Sequence, residues 1–145
     1  MDHETTTGIM FILVAPSGQV LVQLRDDGQG KHIRYPNTWA FPGGRKRNDE
    51  SYIDAALREI SEECGLRLRR EDFRLLMRMD CGTSLFRIHV FICNLRRDEV
   101  SKVKVFEGKD MRWVNVGELK DLDLGFCQEK ILPYLEDYLR SRRAA

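Results

Sequence analysis

The segment from Gly43 to Leu66, "GGRKRNDESYIDAALREISEECGL", constrains the fold more than any other part of the chain. Apolar side chains recur in it at helical spacing, at Ile53, Ala56, Leu57, Ile60 and Cys64. This spacing predicts an α-helix over Ser51–Cys64 with one buried stripe, and Gly65 suits its C-terminal cap.

Three acids occupy another sector of the same helix: Glu59, Glu62 and Glu63. Glu59 and Glu63 are like charges four residues apart, which costs an isolated helix about 0.2 to 0.5 kcal/mol. Arg58 reaches Glu62 at the same spacing, but one arginine cannot neutralise three carboxylates. A hard cation such as Mg²⁺, which prefers oxygen ligands, fits this face. A solvated acidic surface is the more common explanation of such a charge cluster, so the helix alone does not establish a metal site.

Strand signals surround this helix. They predict a β-hairpin from the runs at 8–15 and 20–25, and further strands at 39–42, 73–79, 84–95 and 111–116. A short helix is predicted within 116–122 and a longer one over Gln128–Arg142, with Pro133 near its first turn or at a kink. Strands mixed with two substantial helices favour a sheet covered on both faces, in one domain over residues 1–145.

Charge and cysteine content limit the partners. The chain has 24 basic and 23 acidic residues, so no overall field favours a nucleic acid polymer or a membrane. Four scattered cysteines, without CxxC pairs, are expected to be reduced thiols. The N-terminal segment lacks a basic targeting region and a run long enough to span a bilayer, and a cytoplasmic location is expected.

The spacing around the acids resembles the signature of the Nudix hydrolase family, G-x5-E-x7-R-E-U-x-E-E-x-G-U, where U is aliphatic. Gly44, Glu50, Arg58–Glu59, Glu62–Glu63 and Gly65 fill its fixed positions, with Ile60 and Leu66 at the aliphatic ones. Seven fixed residues would coincide by chance on the order of 10⁻⁹ per starting point. The "WAFPGG" run at 39–44 and an "EG…W" element, Glu107–Gly108 to Trp113, extend the likeness over nearly the whole chain. The resemblance implies a Nudix α/β fold, with a mixed sheet sandwiched between helices.

The resemblance also implies an activity: hydrolysis of a nucleoside diphosphate linked to another group, with Mg²⁺ or Mn²⁺ as cofactor. It implies that Glu59 and Glu63 ligate the metal and that Glu62 ligates it or acts through a metal-bound water. The carbonyl of Gly44 and the carboxylate of Glu107 are further candidate ligands. The general base is left open among Glu59, Glu62 and Glu107. Arg58 is expected to hold carboxylates such as Glu50 and Glu62 in place.

Substrate contacts are expected outside the signature. Gly43 and Gly44 allow a tight turn and close backbone approach to metal or phosphate. Arg25 could meet an anionic substrate, as could Lys31, His32 and Arg34. Trp39 and Phe41 either contact a base or pack in the core. Gln128 matches roughly the position where mutagenic-nucleotide hydrolases of the family carry an asparagine that reads the purine. His89 is expected to be a hydrogen-bonded histidine of the sheet.

Three functions are compatible with this pattern. The first is a (d)NTP pyrophosphohydrolase that releases a nucleoside monophosphate and pyrophosphate, which the compact length favours. The second is a hydrolase of ADP-ribose, a dinucleoside polyphosphate or a nucleotide sugar. The third is a catalytically silent nucleotide-binding module. Either a monomer or a homodimer is compatible with the sequence.

Overall fold

The computed structural model describes residues 6–24, 38–81, 86–104, 110–125 and 128–144. Its strands are β1 (Thr6–Val14), β2 (Val20–Leu24), β3 (Trp39–Ala40), β4 (Gly43–Arg45), β5 (Arg74–Cys81), β6 (Phe86–Asn94) and β7 (Asp110–Val114). The α-helices are α1 (Tyr52–Cys64), α2 (Arg97–Val100) and α3 (Leu132–Ala144). Short 3₁₀ turns lie at Arg70–Asp72, Val116–Asp121 and Gln128–Lys130.

The strands form one mixed sheet in the order β3-β2-β1-β6-β5, with β4 paired to β1 and β7 paired to β2. Strands β1 and β6 run parallel over their full lengths, from the pair Thr6–Phe86 to the pair Val14–Asn94. The other pairings are antiparallel. The hairpin predicted from the first two apolar runs is present, turning at Pro16–Gly18.

Alternation along β1 divides the core between the two faces of the sheet. Ile9, Phe11 and Leu13 pack in the cluster that contains the apolar stripe of α1. Their neighbours Met10, Ile12 and Val14 pack in the opposite cluster with side chains of α3. Because side chains on a strand alternate between faces, one apolar strand supports a helix layer on each side. The predicted sheet sandwiched between helices is confirmed.

Helix α1 is capped at both ends, and its C-terminal cap is the glycine that the sequence predicts. The Ser51 hydroxyl accepts a hydrogen bond from the backbone N–H of Asp54 at 3.1 Å. Gly65 ends the helix in the left-handed conformation at φ 69°, and its N–H donates to the carbonyl of Ser61. A residue with a Cβ would be strained there. These two caps fix the length of the helix that carries the acids.

Three local predictions need correction. The turn expected at Gly43–Gly44 is instead part of strand β4, because the segment adds to the edge of β1 through the pairs Ile9–Gly44 and Met10–Gly43. The helix expected from Gln128 begins at Leu132, after a 3₁₀ turn. Cys64 and Cys93 are free, as predicted, but Cys81 is disulfide-bonded, so the expectation of a reduced thiol is wrong there. Cys127 lies outside the described residues.

Within the described ranges, none of the helices combines the length and the apolar character that crossing a membrane requires.

Candidate active site

Strand β4 and helix α1 bring the ends of the signature together at the start of β1. The backbone of Gly44 lies directly against the side chain of Glu59, and a Cβ built on Gly44 would overlap that carboxylate. Glu59 is only 8% exposed. The fold therefore places the buried carboxylate of Glu59 directly against the backbone of Gly44, where there is no Cβ.

Arg58 organises the carboxylates around it. Its guanidinium donates to both oxygens of Glu50, with Nε 3.0 Å from Oε2 and Nη2 2.7 Å from Oε1. Nη1 lies 2.9 Å from Oε1 of Glu59 and 3.3 Å from Oε2 of Glu62. Nη2 also donates to the main-chain carbonyl of Arg45 at 3.1 Å. The planar guanidinium of Arg58 thus connects helix α1 to strand β4 through Arg45 and to the following loop through Glu50.

This network changes the ionisation of its members. The hydrogen bonds from Arg58 are the main reason that the pKa of Glu50 falls from 4.5 to about 2, and the backbone N–H of Arg47 adds to the effect. The same contact with Glu50 raises the pKa of Arg58. Both groups are therefore charged at neutral pH, and the network persists as an ion pair.

The three acids of the predicted metal site differ in environment. Glu59 is buried, Glu63 is half-buried, and the side chain of Glu62 is 51% exposed. Among the described residues, no three His, Cys, Asp or Glu side chains converge as a metal-binding group. Glu59 and Glu62 turn to Arg58 instead.

The chemistry of these donors still fits a hard divalent cation. Carboxylate oxygens are the ligands that Mg²⁺ prefers, and a single guanidinium is shared among Glu50, Glu59 and Glu62. The glycine at residue 44 leaves space that a side chain would fill.

The predicted base-reading residue Gln128 has another environment. It is fully buried, its Oε1 accepts from the backbone N–H of Phe41 at 2.7 Å, and its Nε2 donates to the carbonyls of Gly125 at 2.6 Å and Trp39 at 3.3 Å. Both amide protons are thus used by main-chain carbonyls. This arrangement gives no support to recognition of a base edge by Gln128, because the side chain holds the segment before β4.

The remaining predicted contacts divide between core and surface. Phe41 is 2% exposed and packs in the core on the α3 face, the alternative that the sequence left open. Trp39 is half-buried, with the guanidinium of Arg112 over its ring at 5.0 Å from the centroid. A Cβ on Gly43 would overlap the main-chain carbonyl of Ile9, so this glycine serves strand pairing. Arg25, Lys31, His32, Arg34 and Glu107 lie outside the described residues.

Sequence analysis did not predict two features of the structure, the partner of Arg58 in β4 and the environment of His89. The carbonyl of Arg45 accepts from Arg58, and no side-chain pattern marks a main-chain acceptor. His89 was expected to be hydrogen-bonded, but its Nδ1 is buried and has no hydrogen-bond partner among the described residues. Its ring stacks on Tyr52 instead.

A mixed sheet between helices, with a helix of acids packed on a glycine strand, defines a known class of α/β domain. Residues 4–135 match the NUDIX domain family, and the chain therefore belongs to that family. The family predicted from the spacing of the signature is confirmed.

Individual relatives add detail. The chain is 47% identical over 72 residues to a protein of Danio rerio named m7GpppN-mRNA hydrolase NUDT17, a match that covers 50% of this chain and 23% of that relative. It is also similar to a MutT/nudix family protein from Listeria innocua, with a TM-score of 0.77, 20% identity and 96% of each chain covered. The NUDIX domain of Shewanella oneidensis NrtR, solved with ADP ribose, gives a TM-score of 0.68 at 14% identity, covering 94% of this chain and 89% of that one. The chain thus spans less than a quarter of the curated relative.

Proposed function

We propose that this domain hydrolyses a phosphoanhydride bond in a nucleoside diphosphate linked to another group, with Mg²⁺ or Mn²⁺ as cofactor. The observation that carries the proposal is the contact between the buried Glu59 carboxylate and the backbone of Gly44, beside the Arg58 network. Family membership and a relative named as a hydrolase support the same reaction class.

The residues that would hold the cation are Glu59, Glu62 and Glu63, together with the carbonyl of Gly44 and, in the proposal, Glu107. A bound divalent cation supplies polarisation of phosphate oxygens and a lowered pKa of the attacking water. The general base in this proposal is one of three residues: Glu59, Glu62 or Glu107. Glu62 is the most exposed of the described acids of the signature, so it is the one best placed to exchange a proton with solvent.

The protein itself positions the proposed metal ligands and neutralises part of their charge. Arg58 keeps Glu50 ionised and fixes the direction of the Glu59 carboxylate, as the residues around a metal ligand commonly do. Burial of Glu59 limits its motion and keeps bulk water away from one side of the site. These effects reduce the rearrangement that the site needs when phosphate oxygens arrive.

Nucleoside triphosphates are the first substrates to test, with nucleoside monophosphate and pyrophosphate as the expected products. The likeness to m7GpppN-mRNA hydrolase favours a second candidate, a capped mRNA end, in which the scissile bond also lies in a phosphate chain between nucleosides. The second candidate would revise the expectation that no nucleic acid polymer is bound. ADP-ribose, dinucleoside polyphosphates and nucleotide sugars belong in the same panel.

The test is a substrate panel with Mg²⁺, with Mn²⁺ and with EDTA, in which products are identified by chromatography. Pyrophosphate from a (d)NTP supports the first candidate, and a released cap nucleotide supports the second. Glu63→Gln should abolish turnover while the exposed-surface change Glu71→Gln should not. Tight nucleotide binding without metal-dependent turnover of any compound would establish instead a silent binding module.

We also propose that residues 1–145 act as one domain. Limited proteolysis that leaves a single protected fragment would support this.

A further inference from the structure

His89, in the middle of β6, has a buried ring nitrogen with no hydrogen-bond partner in the described part of the chain. The residue is 8% exposed, and within the described residues its Nδ1 meets no donor or acceptor. Leaving a buried polar group unpaired is energetically unfavourable. Its ring stacks on that of Tyr52, with centroids 3.6 Å apart and planes 24° apart, so the imidazole is held in one orientation.

This histidine lines a cleft of about 440 Å³ on the α1 face of the sheet, at the edge formed by β5 and β6. The lining residues are Tyr52, Arg78, Met79, Asp80, Arg87 and His89. Ligand pockets for small molecules typically measure about 300–1,000 Å³. Neither Gly44 nor the carboxylates of the signature line this cleft, which is therefore separate from the proposed active site.

Strand register concentrates positive charge there. Arg78 lies opposite His89, and Asp80 lies opposite Arg87, so these side chains share a face. Arg87 Nε is 3.3 Å from Oδ1 of Asp80, but both side chains are more than half exposed, and solvent weakens such pairs. Arg78 makes no ion pair within the described part of the chain. Two guanidinium groups thus face one carboxylate.

A further cation borders the cleft, because the ammonium of Lys46 lies 5.4 Å from the centroid of the Tyr52 ring. Burial and the charges of Arg78 and Arg87 lower the pKa of His89, so the ring is neutral at neutral pH. An anion in the cleft would meet two guanidinium groups beside the neutral ring of His89.

We propose that the cleft binds the phosphate group of a small phosphorylated compound, with Arg78 and Arg87 contacting its oxygens beside the ring of His89. Phosphate suits the cleft better than carboxylate because two guanidinium groups can contact its several oxygens, and arginine binds phosphate in a bidentate manner. The site is additional to the hydrolytic site and does not depend on hydrolysis.

The test uses the full chain in EDTA, titrated with inorganic phosphate at constant ionic strength while the imidazole resonances of His89 are followed by NMR. His89→Phe, which keeps an aromatic ring against Tyr52, assigns the signal. A saturable shift of the His89 resonance is expected, and Arg78→Gln should weaken binding at least fivefold. Arg74→Gln is the matched control, since Arg74 is exposed on the same strand and does not line the cleft.

A parallel titration with AMP separates the two sources of the anion. Tighter binding of AMP than of phosphate, with the same His89 shift, identifies a phosphate ester; equal or weaker binding identifies free phosphate. The proposal fails if neither compound shifts His89 saturably, or if Arg78→Gln and Arg74→Gln weaken binding equally. Because no metal and no turnover are involved, this outcome is independent of the hydrolysis assays.

Discussion

The backbone of Gly44 and the carboxylate of Glu59 are in such close contact that no side chain fits between them. The neighbouring glycine is restricted differently, since a Cβ on Gly43 would meet the main-chain carbonyl of Ile9. A carboxylate can be displaced, whereas a paired strand cannot move as easily. The two glycines should therefore respond differently to substitution.

We expect Gly44→Ala to lower kcat about 10²-fold through misplacement of Glu59, with a loss of stability below about 1 kcal/mol. Gly43→Ala should instead lower the free energy of unfolding by about 1–3 kcal/mol, because β4 must move away from β1. Urea unfolding and steady-state kinetics measure both effects. Gly117→Ala is the control, since a Cβ there meets nothing within 4 Å. Equal stability losses at residues 43 and 44 would contradict this distinction.

Arg58→Lys keeps the charge and removes the fork that joins Glu50, Glu59 and the carbonyl of Arg45. Lysine cannot make these bonds together, so we expect a loss of about 1–3 kcal/mol in the free energy of unfolding and reduced kcat. Arg69→Lys, at a side chain that is 74% exposed, should change neither quantity. A variant at residue 58 with wild-type kcat would show that the network has no role in positioning Glu59.

Acid should weaken the fold through Glu50. Its pKa is about 2 in the folded protein and 4.5 ordinarily, so the folded state binds fewer protons between these values. The stability that Glu50 contributes is fully present above pH 4.5 and is lost as the pH falls towards 2. Urea unfolding of the wild type and Glu50→Gln should therefore differ at pH 7 and converge towards pH 2. The exposed Glu71→Gln should show no such pH-dependent difference, and a constant gap for Glu50→Gln would refute the assignment.

Gln128→Leu tests whether this buried amide supports the structure or reads a base. Leucine leaves the N–H of Phe41 and the carbonyl of Gly125 without their partner, so we expect a loss of about 1–3 kcal/mol. Glu129→Ala, an exposed neighbour, is the control. A stable Gln128→Leu variant with altered base preference would restore the base-reading hypothesis.

Sequence spacing predicts the parts of the site that depend on local geometry. The cap at Gly65 follows from glycine chemistry, and the acidic sector of α1 follows from periodicity. Hydrogen-bond partners that lie far apart in sequence cannot be predicted from spacing in this way. Gln128 bonds to Phe41 and Trp39, which lie 87 and 89 residues earlier in the chain. Nothing in the sequence indicates that main-chain groups will occupy both ends of this amide.

The same limit applies to Cys81 and to His89. A disulfide depends on the spatial approach of two chain segments, and isolated cysteines without a motif carry no signal for it. The alternating pattern of the strand places His89 on a buried face. Whether it has a hydrogen-bond partner there depends on the neighbouring strand and on the start of α1, which are distant in sequence.

The parallel pairing of β1 with β6 sets the order in which this protein can be completed. Strand β1 is the support for both β4 and α1, yet its long neighbour begins only at Phe86, and closing so large a loop is slow and entropically costly. A nascent chain that ends before Phe86 already contains every residue from Gly43 to Leu66, but it lacks the strand that completes the centre of the sheet. We therefore expect the acidic helix to remain undocked during synthesis until β6 has left the ribosome.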